Sequence, residues 1–240
     1  MLLATNRGLY AIDGSKATPI RSEVKVKQET GRFGTKVSSF AFTGPDKLVG
    51  SGHPDSPTLP GSLGLIESSD DGRSWTAVSR VGLSDLHVIK PQGGTLVAYD
   101  TTLGATIASR DEGKTWSELS TPAPTVIDIA VDPGDPSYLI ASTGKELARS
   151  TNEGRSWKSL GPATQAELAW GSKGLFRADD DGTVLESKDR GHSWSRVGKL
   201  DGSPGKLAET SDGTLYVALD NGSIQSSDDG GRSWKTVFGK

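Results

Sequence analysis

The chain has 240 residues, 33% of them hydrophobic, with 31 glycines, 12 prolines, no cysteine and a formal net charge of −3. Acidic and basic residues are interspersed, which argues against the concentrated basic surface that neutralises phosphates, so no nucleic-acid partner is expected. The missing thiols remove disulfides, thiolate nucleophiles and cysteine metal sites, and no apolar run is long enough to cross a bilayer.

In chain order, Met1 to Thr5, Gly8 to Asp13 and Ala17 to Ser22 read as three short strands. The segment Val24 to Lys36 fits no simple continuation of them. Further on, Gly52 to Ser62 is the longest loop, and Pro54, Pro57 and Pro60 pre-organise it.

From Ser68 onward one octet recurs: Ser, any, Asp or Asn, any, Gly, any, Ser or Thr, Trp. Its copies begin at Ser68, Ser109, Ser150, Ser187 and Ser227. Five of the six tryptophans (Trp75, Trp116, Trp157, Trp194 and Trp234) close these octets, 37 to 41 residues apart. The third position (Asp70, Asp111, Asn152, Asp189, Asp229) suits an Asx-type turn that accepts backbone N–H groups. The glycine supplies a positive φ, the hydroxyl at the seventh position bonds back, and the tryptophan buries an apolar face. Such an octet is a self-wired hairpin connector and needs no ligand.

Between octets, Val126 to Val131 reads as a strand, followed by the turn Asp132 to Pro136 and by strands at Tyr138 to Ser142, Glu146 to Ser150 and Trp157 to Leu160. Four short strands per period of about 40 residues define a propeller blade. The expectation is an all-β chain, one β-propeller domain over 1–240 with about six four-stranded blades. They span approximately 1–28, 36–80, 83–121, 124–161, 164–199 and 204–240, and the first is irregular.

The octets resemble those of the Asp-box (BNR, sialidase-like) repeat superfamily over residues 62 to 240. Within it, Phe42-Thr43-Gly44-Pro45-Asp46, Ser51-Gly52-His53-Pro54-Asp55 and Leu63-Gly64-Leu65-Ile66-Glu67-Ser68 are similar to bacterial exported propellers labelled glycosyl hydrolase. The resemblance implies the fold, and an extracellular or cell-envelope setting. The first residues are too short for an export signal, which leaves a cytoplasmic setting open. Sialidase residues do not carry over: Pro19-Ile20-Arg21 reverses the family's Arg-Ile-Pro order, and Arg73, Arg155 and Arg232 lie inside octets.

Propeller ligands generally sit at the channel mouth. Counted from the tryptophans, His87 and Asp128 fall on innermost strands, and the corresponding strands of the next two blades offer Glu167 and Lys206. His53 and Asp55 in the proline-rich loop, with Tyr99 and Asp100 in the next blade, are expected to join His87 in one sector. The binding candidates are therefore His53, Asp55, His87, Tyr99, Asp100, Asp128 and Glu167. Asp55, Asp100 and Tyr99 are the catalytic candidates for a glycoside hydrolase, whose chemistry needs paired carboxylates. His53 and His87 are the candidates for a divalent metal; no other cofactor is expected. The favoured reading is a monomeric, non-catalytic propeller that binds a glycan, peptide or protein. A glycoside hydrolase and a metal-binding propeller are the alternatives.

Overall fold

The computed structural model describes residues 2–5, 8–13, 16–92 and 94–239, and the side chains of these apart from 3–5, 8, 32–36 and 92. Among the described residues there is no helix. Two compact units are formed, Met1–Leu119 and Ser120–Lys240.

In the first unit, β1 (Leu2–Thr5), β2 (Gly8–Asp13) and β3 (Lys16–Ile20) make a three-stranded antiparallel sheet. A second sheet joins β4 (Ser22–Val26), β5 (Glu29–Gly44), β6 (Lys47–Pro54), β7 (Leu65–Ser68) and β8 (Ser74–Ser79). Strands β5 to β8 form an antiparallel meander, and β4 closes it by pairing antiparallel with β5 and parallel with β8. The third sheet is the meander of β9 (Leu86–Gln92), β10 (Thr95–Asp100), β11 (Ala105–Ser109) and β12 (Ser117–Glu118). Strand β9 packs beside β5.

The second unit repeats the meander three times. Its blades are β13 (Asp128–Asp132), β14 (Asp135–Ser142), β15 (Glu146–Ser150) and β16 (Lys158–Pro162); β17 (Ala166–Trp170), β18 (Leu175–Asp179), β19 (Thr183–Ser187) and β20 (Ser195–Lys199); and β21 (Pro204–Glu209), β22 (Leu215–Leu219), β23 (Ile224–Ser227) and β24 (Lys235–Phe238). The innermost strands β13, β17 and β21 are successive neighbours.

Five sheets thus carry the four-stranded meander of a blade, where the sequence led us to expect about six. The difference lies before residue 29. The described residues before Arg21 make three strands, and the next strand joins the following sheet. Ser22, Val24 and Val26 are buried while Glu23 and Lys25 are exposed, and Val24 stands opposite Trp75 of β8. Burying that alternating face outweighs completing a separate sheet.

Every octet joins the third and fourth strands of its blade, and its wiring is the same each time. The serine hydroxyl donates to the Asp or Asn oxygen two residues on at 2.8–2.9 Å, and the glycine N–H donates to that serine at 2.7–3.0 Å. The same Asp or Asn accepts the seventh backbone N–H at 2.8–3.0 Å. In the four Asp copies it also accepts the seventh hydroxyl at 2.5–2.6 Å; Asn152 instead donates to Ser156 at 2.9 Å. These bonds hold Asp111 and Asp189 at a pKa of about 2, hydroxyl and backbone donors from Thr115 and Ser193 being the main causes. The fifth-position glycines have positive φ, as expected. The fourth position is left-handed as well, at Asp71, Glu112, Glu153 and Arg190, which was not anticipated.

The tryptophans are less uniform than their spacing. Trp75 is fully buried with Leu9, Val24, Leu48, Leu63 and Ile66, whereas Trp116, Trp157, Trp194 and Trp234 are half-buried. Four indoles donate to the carbonyl of their own octet's glycine at 2.9–3.2 Å. Trp157 donates to Ser120 O at 2.8 Å instead.

Candidate functional site

The site in the first unit is built on Asp85, immediately before β9. Alternate residues of an extended segment share a face, so Asp85 and His87 fall on the same side. The Asp85 side chain is only 12% exposed. Its Oδ1 accepts the Ser38 hydroxyl of β5 at 2.6 Å. Its Oδ2 receives two imidazoles, His87 Nε2 at 2.9 Å and His53 Nε2 at 3.2 Å. The backbone carbonyl of Asp85 accepts both the N–H and the hydroxyl of Thr101, at 3.0 and 3.1 Å, which ties the 101–104 loop to the same residue.

His53 stands near the end of β6, where the chain enters the proline-rich loop. Its Nδ1 lies 2.6 Å from Gly61 O. The loop folds back on itself: Leu63 N donates to Gly52 O at 3.0 Å, and Leu59 and Leu63 are buried. Both ring nitrogens of His53 therefore face oxygen atoms, Nδ1 that of Gly61 and Nε2 that of Asp85.

The electrostatics follow from this sharing. Burial pushes the Asp85 carboxyl up, but hydrogen bonds from His87 and Ser38 and the charges of His87 and His53 outweigh it and hold its pKa at about 2. The hydrogen bond to Asp85 raises the pKa of His87, against the opposing effect of burial. An ionised carboxylate only accepts, so the proton between the two sits on His87 Nε2. His87 Nδ1 has no partner among the described residues, and its side chain is 51% exposed.

The other expected members of this sector sit differently. Asp100 is fully buried; it accepts the Ser84 hydroxyl, Arg80 Nη2 at 3.4 Å, and the backbone N–H groups of Thr102 and Leu103 at 3.0 and 3.3 Å. It anchors the turn and the loop that frame the histidines. Tyr99 is buried in the sheet, opposite Val88 and Thr106. Asp55 is exposed in the loop. The structure brings His53 and His87 together, and the residue that joins them, Asp85, was missed. Its spacing of two from His87 was the available signal.

In the second unit Asp128, Glu167 and Lys206 meet on β13, β17 and β21. The fully buried Asp128 accepts Ile129 N at 2.9 Å and Leu168 N at 3.0 Å, so one carboxylate links two neighbouring inner strands. Lys206 Nζ lies 3.1 Å from Asp128 and 2.8 Å from Glu167. Burial lowers the pKa of Lys206, but the two carboxylates outweigh it and the net shift is upward. One half-exposed lysine thus bridges both acids.

Arg73, Arg155 and Arg232 each bond within their own octet, to the carbonyls of Asp70, Asn152 and Asp229. Among the described residues no group of three or more His, Cys, Asp or Glu is arranged to hold a metal ion. Both imidazoles point at one carboxylate oxygen, which occupies the place between them.

No protein-family model and no curated protein matches this chain. Solved structures do. The structure described as a nidogen/laminin complex aligns over 99% of this chain and 92% of its own, at 14% identity and a TM-score of 0.72. YCF48 bound to D1 peptide aligns over 83% of this chain and 67% of its own, at 16% identity and a TM-score of 0.54. The extracellular domain of BT4673 from B. thetaiotaomicron aligns over all of this chain at 12% identity and a TM-score of 0.64; the chain spans about a third of that protein. With the repeated four-stranded meanders, these likenesses define the fold as a β-propeller.

Proposed function

We infer that the chain is a non-catalytic binding or assembly propeller of the Asp-box type, a single domain that engages a glycan, peptide or protein at the surface presenting His53, Asp85 and His87. The observation that carries this reading is the convergence of two partly exposed imidazoles on one shielded carboxylate. Asp85 fixes the ring of His87 and leaves its other nitrogen outward, the way a binding site pre-orients a polar contact. Two of the aligned structures are complexes with a peptide or a protein, which supports the same reading. An extracellular or cell-envelope setting accords with the BT4673 likeness.

The glycoside-hydrolase alternative needs two available carboxylates. Asp100 and Asp128 are fully buried and engaged by several donors each, which weighs against it. The test is binding of the purified protein to a glycan array and to a peptide array, each repeated with His53→Ala and His87→Ala. Retention of a ligand that both substitutions weaken supports the reading. Turnover of a glycoside panel, lost on Asp55→Asn, refutes it.

A further inference from the structure

Resting on the binding-module reading, we propose that the His53–Asp85–His87 sector takes a peptide segment of a partner protein in which a carboxylate side chain stands beside an aliphatic one. Two independent features of the surface carry this. The first is apolar. Among the described residues three large hydrophobic side chains are exposed: Phe42, Leu83 at 65% and Leu103 at 49%. Both leucines belong to the frame of the sector. Leu83 lies in the turn whose Ser84 holds Asp100, and Leu103 donates its backbone N–H to the same Asp100. Thr101, two residues before Leu103, is bonded to the Asp85 carbonyl. Two aliphatic side chains are therefore held out to solvent by the ordered backbone that also frames the histidines.

The second feature is charge. Asp85 is shielded and already accepts from Ser38, His53 and His87, and Asp100 is buried beneath the turn with Arg80. The imidazoles are turned outward here, with the unpartnered Nδ1 of His87 among them, and the loop that carries His53 also exposes Asp55. A protonated imidazole is complementary to a carboxylate, with which it makes a charge-assisted hydrogen bond. Sugars are more often gripped by a flat aromatic face than by leucines. Here Tyr99 is buried, and Phe42 lines a separate hollow with Lys47, Pro91 and Glu112. The pairing of aliphatic and cationic groups fits a peptide better than a glycan.

The experiment offers the immobilised full chain, at mildly acidic pH, two synthetic dodecapeptide libraries that differ only at a central residue flanked by Leu and Val. That residue is Glu in one library and Gln in the other; a glycan array is the third arm. The Glu library is expected to be retained about tenfold better, the factor for one charge-assisted hydrogen bond of about 1.4 kcal/mol. His87→Gln should abolish that preference, and Leu83→Ser should weaken retention of both libraries. Both side chains are exposed, and a single cooperative melting transition well above the assay temperature verifies that the variants fold. Equal retention of the two libraries, or retention indifferent to both substitutions, overturns the proposal. Binding of glycans alone overturns it while the binding-module reading stands. No binding in any arm overturns both.

Discussion

His87 and His53 meet on a single oxygen of Asp85, at 2.9 and 3.2 Å. The arrangement makes the His87 pKa a reporter of the Asp85 charge. Asp85→Asn removes the charge and the hydrogen bond that raise it, so the NMR titration midpoint of the His87 ring protons should fall. An unmoved midpoint would mean that the two groups do not interact in solution.

The same pair gives stability a defined pH window. His87 has a raised folded-state pKa, so its contribution is full below about pH 6.5, its unfolded value, and is lost as pH rises through the folded value. Asp85 is depressed to about 2, so its contribution is full above about pH 4 and is lost as pH falls towards 2. Urea midpoints of the wild type and His87→Gln should therefore differ more at pH 5 than at pH 8.

Tryptophan substitutions should rank by burial. Trp75→Ala empties a fully enclosed site and should cost about 3–5 kcal/mol. The half-buried Trp116 should cost clearly less, although it donates to both Ser79 and Gly113. Chemical denaturation of the two variants side by side checks the order.

Within the octets, Asn152 performs the task that Asp performs in the other four. Asp111→Asn should accordingly leave the melting temperature near that of the wild type. Asp111→Ala should lower it, because the Thr115 N–H and the hydroxyls of Ser109 and Thr115 lose their acceptor. Equal melting temperatures for the two variants would show that the octet wiring does not contribute to stability.

Two glycines separate steric from backbone effects. Gly113 has φ +84°, and an added Cβ would fall 2.0 Å from Leu65 Cδ2. Gly104 has φ +64° with nothing within 4 Å. Gly104→Ala should cost about 1 kcal/mol for the left-handed backbone alone. Gly113→Ala should cost at least about 2 kcal/mol, because Leu65 must also move.

Much of this was readable from local pattern. The octets specify a turn whose core bonds lie within eight residues, and the strands of Asp128–Asp132 through Lys158–Pro162 follow from short apolar runs punctuated by turn residues. What depended on distant partners was not readable. Strand β4 alternates plainly, but its parallel partner lies some fifty residues away, so the blade count was one too high. Asp85 looks like any acid in a polar turn. Its role comes from His53, 32 residues earlier, and from Ser38 on another strand. Asp100 was singled out for the same kind of sector, yet four donors draw it beneath the surface.

Strand β4 has one more implication. An outer strand with open backbone groups is a template for adding a foreign strand. The sheets of the other blades end on β12, β16, β20 and β24. The first of these is only two residues long, and the others carry Lys158, Arg196, Lys199 or Lys235, which discourage stacking. Strand β8 has no lysine or arginine of its own along Ser74–Ser79 and relies on β4 as a cover. Proteolytic removal of the leading segment would strip that cover, and the trimmed protein should self-associate through β8 before any other part of the molecule unravels.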